Sequence, residues 1–139
     1  MQKKTDIQVL VLDDEACLAE VLVLHLKEAG YSETHMVTSE KEAFAYVREN
    51  GHPQIFITDF IIAGATNNNS IHIIETFRKK VPIMIGVTSF FDNMDVIEMM
   101  FDAGACEVDN KIHHSHLIET VNFLMNLPEK IDERNTRNG

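Results

Sequence analysis

The amino-acid sequence predicts an α/β fold, a doubly wound parallel sheet with helices on both faces. Three observations carry this reading. Short apolar runs of strand length alternate with amphipathic segments; the runs are apolar throughout, as when both faces of a strand are covered; and most end abruptly on a charged or hydroxyl residue. A chain of 139 residues with 45% apolar content is long enough to bury one core without disulfides or a structural metal.

Ile7 to Leu12 forms the first predicted strand and stops at Asp13-Asp14. Leu18, Val21, Leu22, Leu26 and Ala29 then recur at helical spacing, with Gly30 as a C-terminal stop. His35 to Thr38 gives a short second strand. Ser39-Glu40-Lys41-Glu42 reads as a capping box opening a helix that ends at Asn50-Gly51. The third strand, QIFITD, delivers Asp59, and a loop of turn formers and apolar residues leads to a helix carrying Ile71, Ile74, Phe77 and Arg78. PIMIGVT makes the fourth strand and ends at Thr88. Asp92 or Asn93 caps the next helix, whose apolar side includes Val96, Met99, Met100 and Ala103, and Gly104 stops it. The fifth strand, CEVDN, leads to Lys111. Ser115 caps a final helix with Leu117, Ile118, Val121, Leu124 and Met125, and Pro128 closes the domain. Residues 1–128 are thus expected to form the domain, and residues 129–139 a polar tail or the start of a linker.

Composition narrows the function classes. The net charge of −10 and the lack of a basic run argue against direct nucleic-acid binding. No apolar stretch reaches membrane-helix length and MQKKTD is no signal peptide, so a cytoplasmic protein is expected. Cys17 and Cys106 match no metal or redox spacing and read as reduced core thiols. The run His113, His114, His116 has no partnering cysteine or carboxylate cluster and reads as surface rather than zinc site. Met94, Met99, Met100 and Phe101 read largely as core. Of Phe90 and Phe91, one ring is expected over the site and the other in the core.

In a parallel sheet the strand ends bring Asp13, Asp14, Asp59, Thr88 and Lys111 to one edge, where ligands bind near the topological switch point. Unit charges about 4 Å apart repel by roughly 4 kcal/mol at an effective dielectric near 20, so crowded carboxylates require a cation. Oxygen ligands suit Mg2+. A carboxylate beside such an ion can serve as a nucleophile for phosphoryl transfer, with Thr88 donating one hydrogen bond and Lys111 pairing with phosphate oxygens.

LVLDDE, PQIFITD, IGVTS and GACEVDNK, in this order and spacing, resemble the receiver domain of bacterial two-component response regulators over residues 7 to about 127. The resemblance implies a flavodoxin-like five-stranded sheet of order 2-1-3-4-5. Asp59 would be the phosphoacceptor. Asp13, Asp14, Asp59 and the backbone carbonyl of Ile61 would hold Mg2+, and Thr88 and Lys111 would contact the phosphate. The partners implied are a histidine kinase or histidine phosphotransfer protein and an unidentified downstream protein or effector domain, with a homodimer left open. Such a domain is not an enzyme in the usual sense, since it catalyses only its own phosphorylation and dephosphorylation.

The chain departs from that pattern in identifiable places. The loop after Asp59 carries Ile62 to Thr66 and an apparent insertion at Asn67-Asn68-Asn69; Val108 stands where the family has a switch aromatic; Asp109 stands where the strand is usually apolar; Ile112 replaces a proline after Lys111. Two other readings compete. One is a degenerate receiver acting as a constitutive binding module. The other is a phosphatase of the haloacid-dehalogenase type with Asp13 as nucleophile and Glu15 as acid/base; the absence of a D-x-D motif and of a second late acidic motif disfavours it.

Overall fold

The computed structural model describes residues 3–111 and 114–138, with the side chains of 127–138 left aside. The strands are β1 (Val9–Leu12), β2 (Thr34–Val37), β3 (Ile55–Asp59), β4 (Ile83–Thr88) and β5 (Glu107–Asn110). The helices are α1 (Ala16–Glu28), α2 (Glu40–Asn50), α3 (Ile71–Phe77), α4 (Met94–Ala103) and α5 (His114–Asn138). The strands pair in parallel in the order β2-β1-β3-β4-β5. The expected doubly wound sheet is therefore present.

The strand alternation sorts side chains into two apolar layers. Leu10, Leu12, Phe56 and Met84 pack with Ala43 of α2, Ile73, Ile74 and Phe77 of α3, and Val96, Met100 and Ala103 of α4. Val9, Val11, Ile55, Ile57, Ile85 and Val87 pack on the opposite face with Ala19, Leu22 and Leu26 of α1 and Leu117 and Val121 of α5. Each strand thus buries both faces, which is why its sequence shows no polar alternation. Polar pins hold α5 to the end of α1. The buried Tyr31 hydroxyl donates to Asn122 Oδ1 at 2.6 Å, and the His25 and His114 Nδ1 atoms lie 3.0 Å apart. Burial pushes the Tyr31 phenol above its ordinary value. Burial, reinforced by His25, holds the His114 imidazole below its ordinary value.

The helix starts show how local chemistry sets boundaries. Ser39 Oγ accepts the Glu42 amide at 3.1 Å, as a capping box requires, but the Glu42 carboxylate reaches the Thr38 hydroxyl at 2.9 Å instead of the Ser39 amide. Asn93, not Asp92, caps α4, accepting the Asp95 and Val96 amides. Gly30 and Gly104 follow α1 and α4 at positive φ, a conformation unfavourable for residues with a Cβ.

Several expectations need correction. Leu18, Val21 and Met99 are exposed, because the buried stripe of α1 runs through Ala19, Leu22 and Leu26 and that of α4 through Val96, Met100 and Ala103. Of Met94, Met99, Met100 and Phe101, only Met100 is core; the other three point outward from α4. Phe90 and Phe91 are both exposed, since they lie in the loop between β4 and α4. Cys17 and Cys106 are exposed free thiols; the first lies on the outer side of α1, and the second precedes edge strand β5. Ser115 lies inside α5 rather than capping it, because the helix already begins at His114. The α5 backbone also continues through Pro128 to Asn138, so that proline does not end the helix; the fixed φ of proline is compatible with helical geometry despite the missing donor. The substitution at Ile112 and the histidine at 113 lie outside the described residues.

Candidate functional site

β1 and β3 are adjacent in the sheet although β2 separates them in the chain, so the switch point falls between their carboxyl ends. Asp13 and Asp59 emerge there, each only 6% exposed. Ligand oxygens of Asp13, Asp14, Glu15 and Asp59 all lie within 4.8 Å of one another. An oxygen-only donor set of this density fits a hard divalent cation.

Local hydrogen bonds orient these carboxylates. Asp13 Oδ1 accepts the Glu15 amide at 2.9 Å in a tight turn, which leaves Oδ2 facing the crevice. Asp14 Oδ2 accepts the Ala63 amide at 2.9 Å and so ties the loop after β3 to the end of β1. Asp59 Oδ1 accepts the neighbouring Phe60 amide at 2.8 Å, and Oδ2 accepts from Lys111 Nζ at 2.7 Å. The same ammonium lies 3.1 Å from Asp13 Oδ2 and 3.3 Å from Glu15 Oε1. Lys111 is positioned from its backbone, whose amide donates to the Thr88 carbonyl at 3.1 Å.

Burial raises the Asp59 carboxyl above its ordinary value; the Lys111 hydrogen bond and charge oppose that rise, and the Asp13 charge adds to it. Burial would lower the Lys111 ammonium, but its hydrogen bonds and charge pairing with Asp59 and Asp13 prevail and raise it. Lys111 is therefore charged at neutral pH.

Thr88 closes β4 one residue beyond Val87, which pairs with Asp59 across the sheet. Its side chain is fully buried and its hydroxyl oxygen accepts the Phe90 amide at 2.9 Å. Ile61 and Phe90 are 43% and 47% exposed, so their apolar side chains stand on the surface rather than inside the core. Val108 is buried in the layer under α4, paired with Gly86.

The loop after β3 has a definite shape that its sequence did not reveal. Ile61 bridges Asn69 in antiparallel fashion, Ser70 donates to the Phe60 carbonyl, and Ile62 donates to the Asn68 carbonyl, folding the segment into a closed turn. Asn67 and Asn68 adopt φ of 57° and 55°, which asparagine tolerates better than most residues. Glu40 of α2 clamps the outside of the turn, accepting from the Thr66 amide and hydroxyl at 3.2 and 3.1 Å. The three asparagines thus lie within a closed turn.

The structure brings Asp13, Asp14, Asp59 and Lys111 together as expected. It adds Glu15 as a fourth carboxylate, a residue considered from sequence only as a phosphatase acid/base. The signal was present in its adjacency to Asp13-Asp14. Because Glu15 occupies the turn into α1, its side chain remains free to face Lys111.

Solved structures of receiver domains share this fold. The receiver domain of a CheY-like response regulator from Methanospirillum hungatei superimposes with a TM-score of 0.72 at 21% identity, covering 94% of this chain and 98% of that one. The Francisella response regulator 1452 receiver domain gives 0.71 at 22% identity, with 85% and 95% covered. The signal receiver domain of the putative response regulator NarL from Mycobacterium tuberculosis gives 0.68 at 16% identity, with 83% and 92% covered. No family model and no curated protein matches the sequence. The chain therefore has the receiver fold, with an acidic cluster and a lysine at its switch point. Among the described residues, no helix is long and apolar enough to cross a membrane.

Proposed function

We propose that this chain is a phospho-accepting receiver in which Asp59 takes a phosphoryl group. The observation that carries the reading is the joint contact of Lys111 Nζ with Asp59 Oδ2 at 2.7 Å and Asp13 Oδ2 at 3.1 Å, inside a carboxylate cluster at the switch point. Asp59 is the nucleophile because one oxygen is fixed by the Phe60 amide while the other faces the cation side of the crevice. Its oxygen forms the new bond to phosphorus as the donor's bond to phosphorus breaks, giving an acyl phosphate. Lys111 then moves from carboxylate to phosphate oxygen, a change that its flexible stem permits. Thr88 donates its hydroxyl proton to another phosphate oxygen.

Mg2+ is the cation of this reading, held by Asp13, Asp14, Asp59 and the Ile61 carbonyl, and when bound it neutralises charge on the transferred group. The donor is a histidine kinase or histidine phosphotransfer protein, and the readout is an altered protein-binding surface. The domain is assigned to residues 1–128. In this reading the chain turns over only its own phosphate.

Intact-mass measurement after incubation with acetyl phosphate and Mg2+ tests the proposal. A phosphoryl-sized increment is expected in the wild type and not in Asp59→Asn. Its absence from both proteins, with the fold intact, favours a degenerate receiver used as a binding module.

A further inference from the structure

A second acidic feature lies within β5 itself, on the side chain of Asp109. This residue is 3% exposed although it sits on an edge strand. Its Oδ1 pairs with His116 Nδ1 at 3.0 Å, and its buried Oδ2 has no hydrogen-bond partner among the described residues. A polar atom left buried and unpaired is unfavourable, so the arrangement holds an unused acceptor.

Two clefts of about 380 and 350 Å3 open beside it, and both include Phe91, Asp109 and His116 in their walls. The second adds Glu107, Glu119 and Phe123. Among the described residues, neither wall contains a lysine or arginine. Phe91 and Phe123 are 42% and 58% exposed, and both line the second cleft together with this buried carboxylate. His116 covers that carboxylate with a side chain that is itself 65% exposed and can rotate outward.

We propose that this notch receives an arginine from a basic, amphipathic protein segment, the guanidinium replacing His116 on Asp109 between Phe91 and Phe123. A guanidinium supplies a planar fork of donors that reaches both carboxylate oxygens, and aromatic faces attract the same cation. Glu107 and Glu119 add charge complementarity for further basic residues on the segment. A second copy of this chain is a poor occupant, because an isologous contact would set the same carboxylates against each other in a protein of net charge −10. The inference rests on β5 and α5 and does not require phosphorylation of Asp59.

The test uses a fluorescein-labelled amphipathic peptide with one central arginine among leucines, and its citrulline counterpart, measured by anisotropy and by amide chemical-shift mapping on the full chain. The arginine peptide should bind at least about tenfold more tightly than the citrulline peptide, with shifts centred on Phe91, Asp109 and Phe123. Asp109→Asn should erase that difference, and His116→Ala should strengthen binding by removing the competitor. Equal affinity for the two peptides overturns the proposal, as does retention of the tenfold preference in Asp109→Asn. Shifts centred on Asp13 and Asp59, or self-association through this face that excludes the peptide, overturn it as well. If Asp109→Asn fails to fold, an unchanged affinity in His116→Ala overturns it.

Discussion

Replacing Lys111 with methionine keeps the stem and removes the charge, and it isolates what the ammonium does for the cluster. Among the described residues, Lys111 is the only cation paired with Asp13, Glu15 and Asp59, at 3.1, 3.3 and 2.7 Å. Without it, two carboxylates whose oxygens lie within 4.8 Å repel by about 3.5 kcal/mol at an effective dielectric of 20. Solvent entering the crevice reduces this, so Lys111→Met should lose about 2–3 kcal/mol at pH 7.5 in EDTA. With a urea slope of about 1–3 kcal/mol per molar, the unfolding midpoint should fall by about 0.7–3 M. The pH dependence follows from the two shifts. The folded Lys111 value lies above its ordinary 10.5, so its stabilisation is complete at pH 7.5 and is lost only at more alkaline pH. The folded Asp59 value is raised, so its ionisation destabilises the fold as pH rises, and more so once Lys111 is gone. The deficit should therefore shrink as pH falls towards the carboxylate range, and also on adding Mg2+ or Asp59→Asn to the variant. Coincident midpoints in EDTA, or a deficit insensitive to Mg2+, pH and Asp59→Asn, would refute the reasoning.

Other perturbations probe separate parts of the molecule. If Ile61 and Phe90 shield the modified Asp59 from attacking water, Ile61→Asn and Phe90→Glu should each accelerate phosphate loss in a time-resolved dephosphorylation assay, and rates equal to wild type would leave both residues as surface hydrophobics. Gly104→Ala should destabilise by about 2–3 kcal/mol in urea unfolding, because a Cβ there at φ 138° would lie 2.9 Å from Arg78 Cβ. The His114 imidazole is held below its ordinary value of 6.5, so its neutral form stabilises the fold above that pH and the contribution is lost as pH falls through the folded value. His114→Gln should flatten that part of the stability profile, and an unchanged slope counts against the burial of His114, reinforced by His25, as its source.

The sheet and the gathering of Asp13, Asp14, Asp59 and Lys111 at its switch point were legible because they rest on patterns local in sequence. Runs such as IFITD are buried on both faces, and Asp59, which ends this one, is thereby delivered to the carboxyl edge of the sheet. Helical faces were less legible. Leu18 and Val21 share the helical spacing of Leu22 and Leu26, yet the angle at which α1 meets the sheet buries Ala19 instead. The asparagine-rich loop was opaque for a related reason. Its turn depends on Glu40 and Asp14, which approach it from α2 and the end of β1.

By itself the sequence determined the alternation of strands and helices, and with it the delivery of Asp13, Asp14, Asp59, Thr88 and Lys111 to strand ends, because burial and turn chemistry act over a few neighbouring residues. Only the tertiary structure decided how those groups pair. Glu15 joins the cluster, one ammonium is shared among three carboxylates, and Asp109 is buried with an oxygen unpaired. These are distance-dependent interactions between residues far apart in the chain. Their geometry exists only after the crossovers have set β1 beside β3 and α5 beside β5.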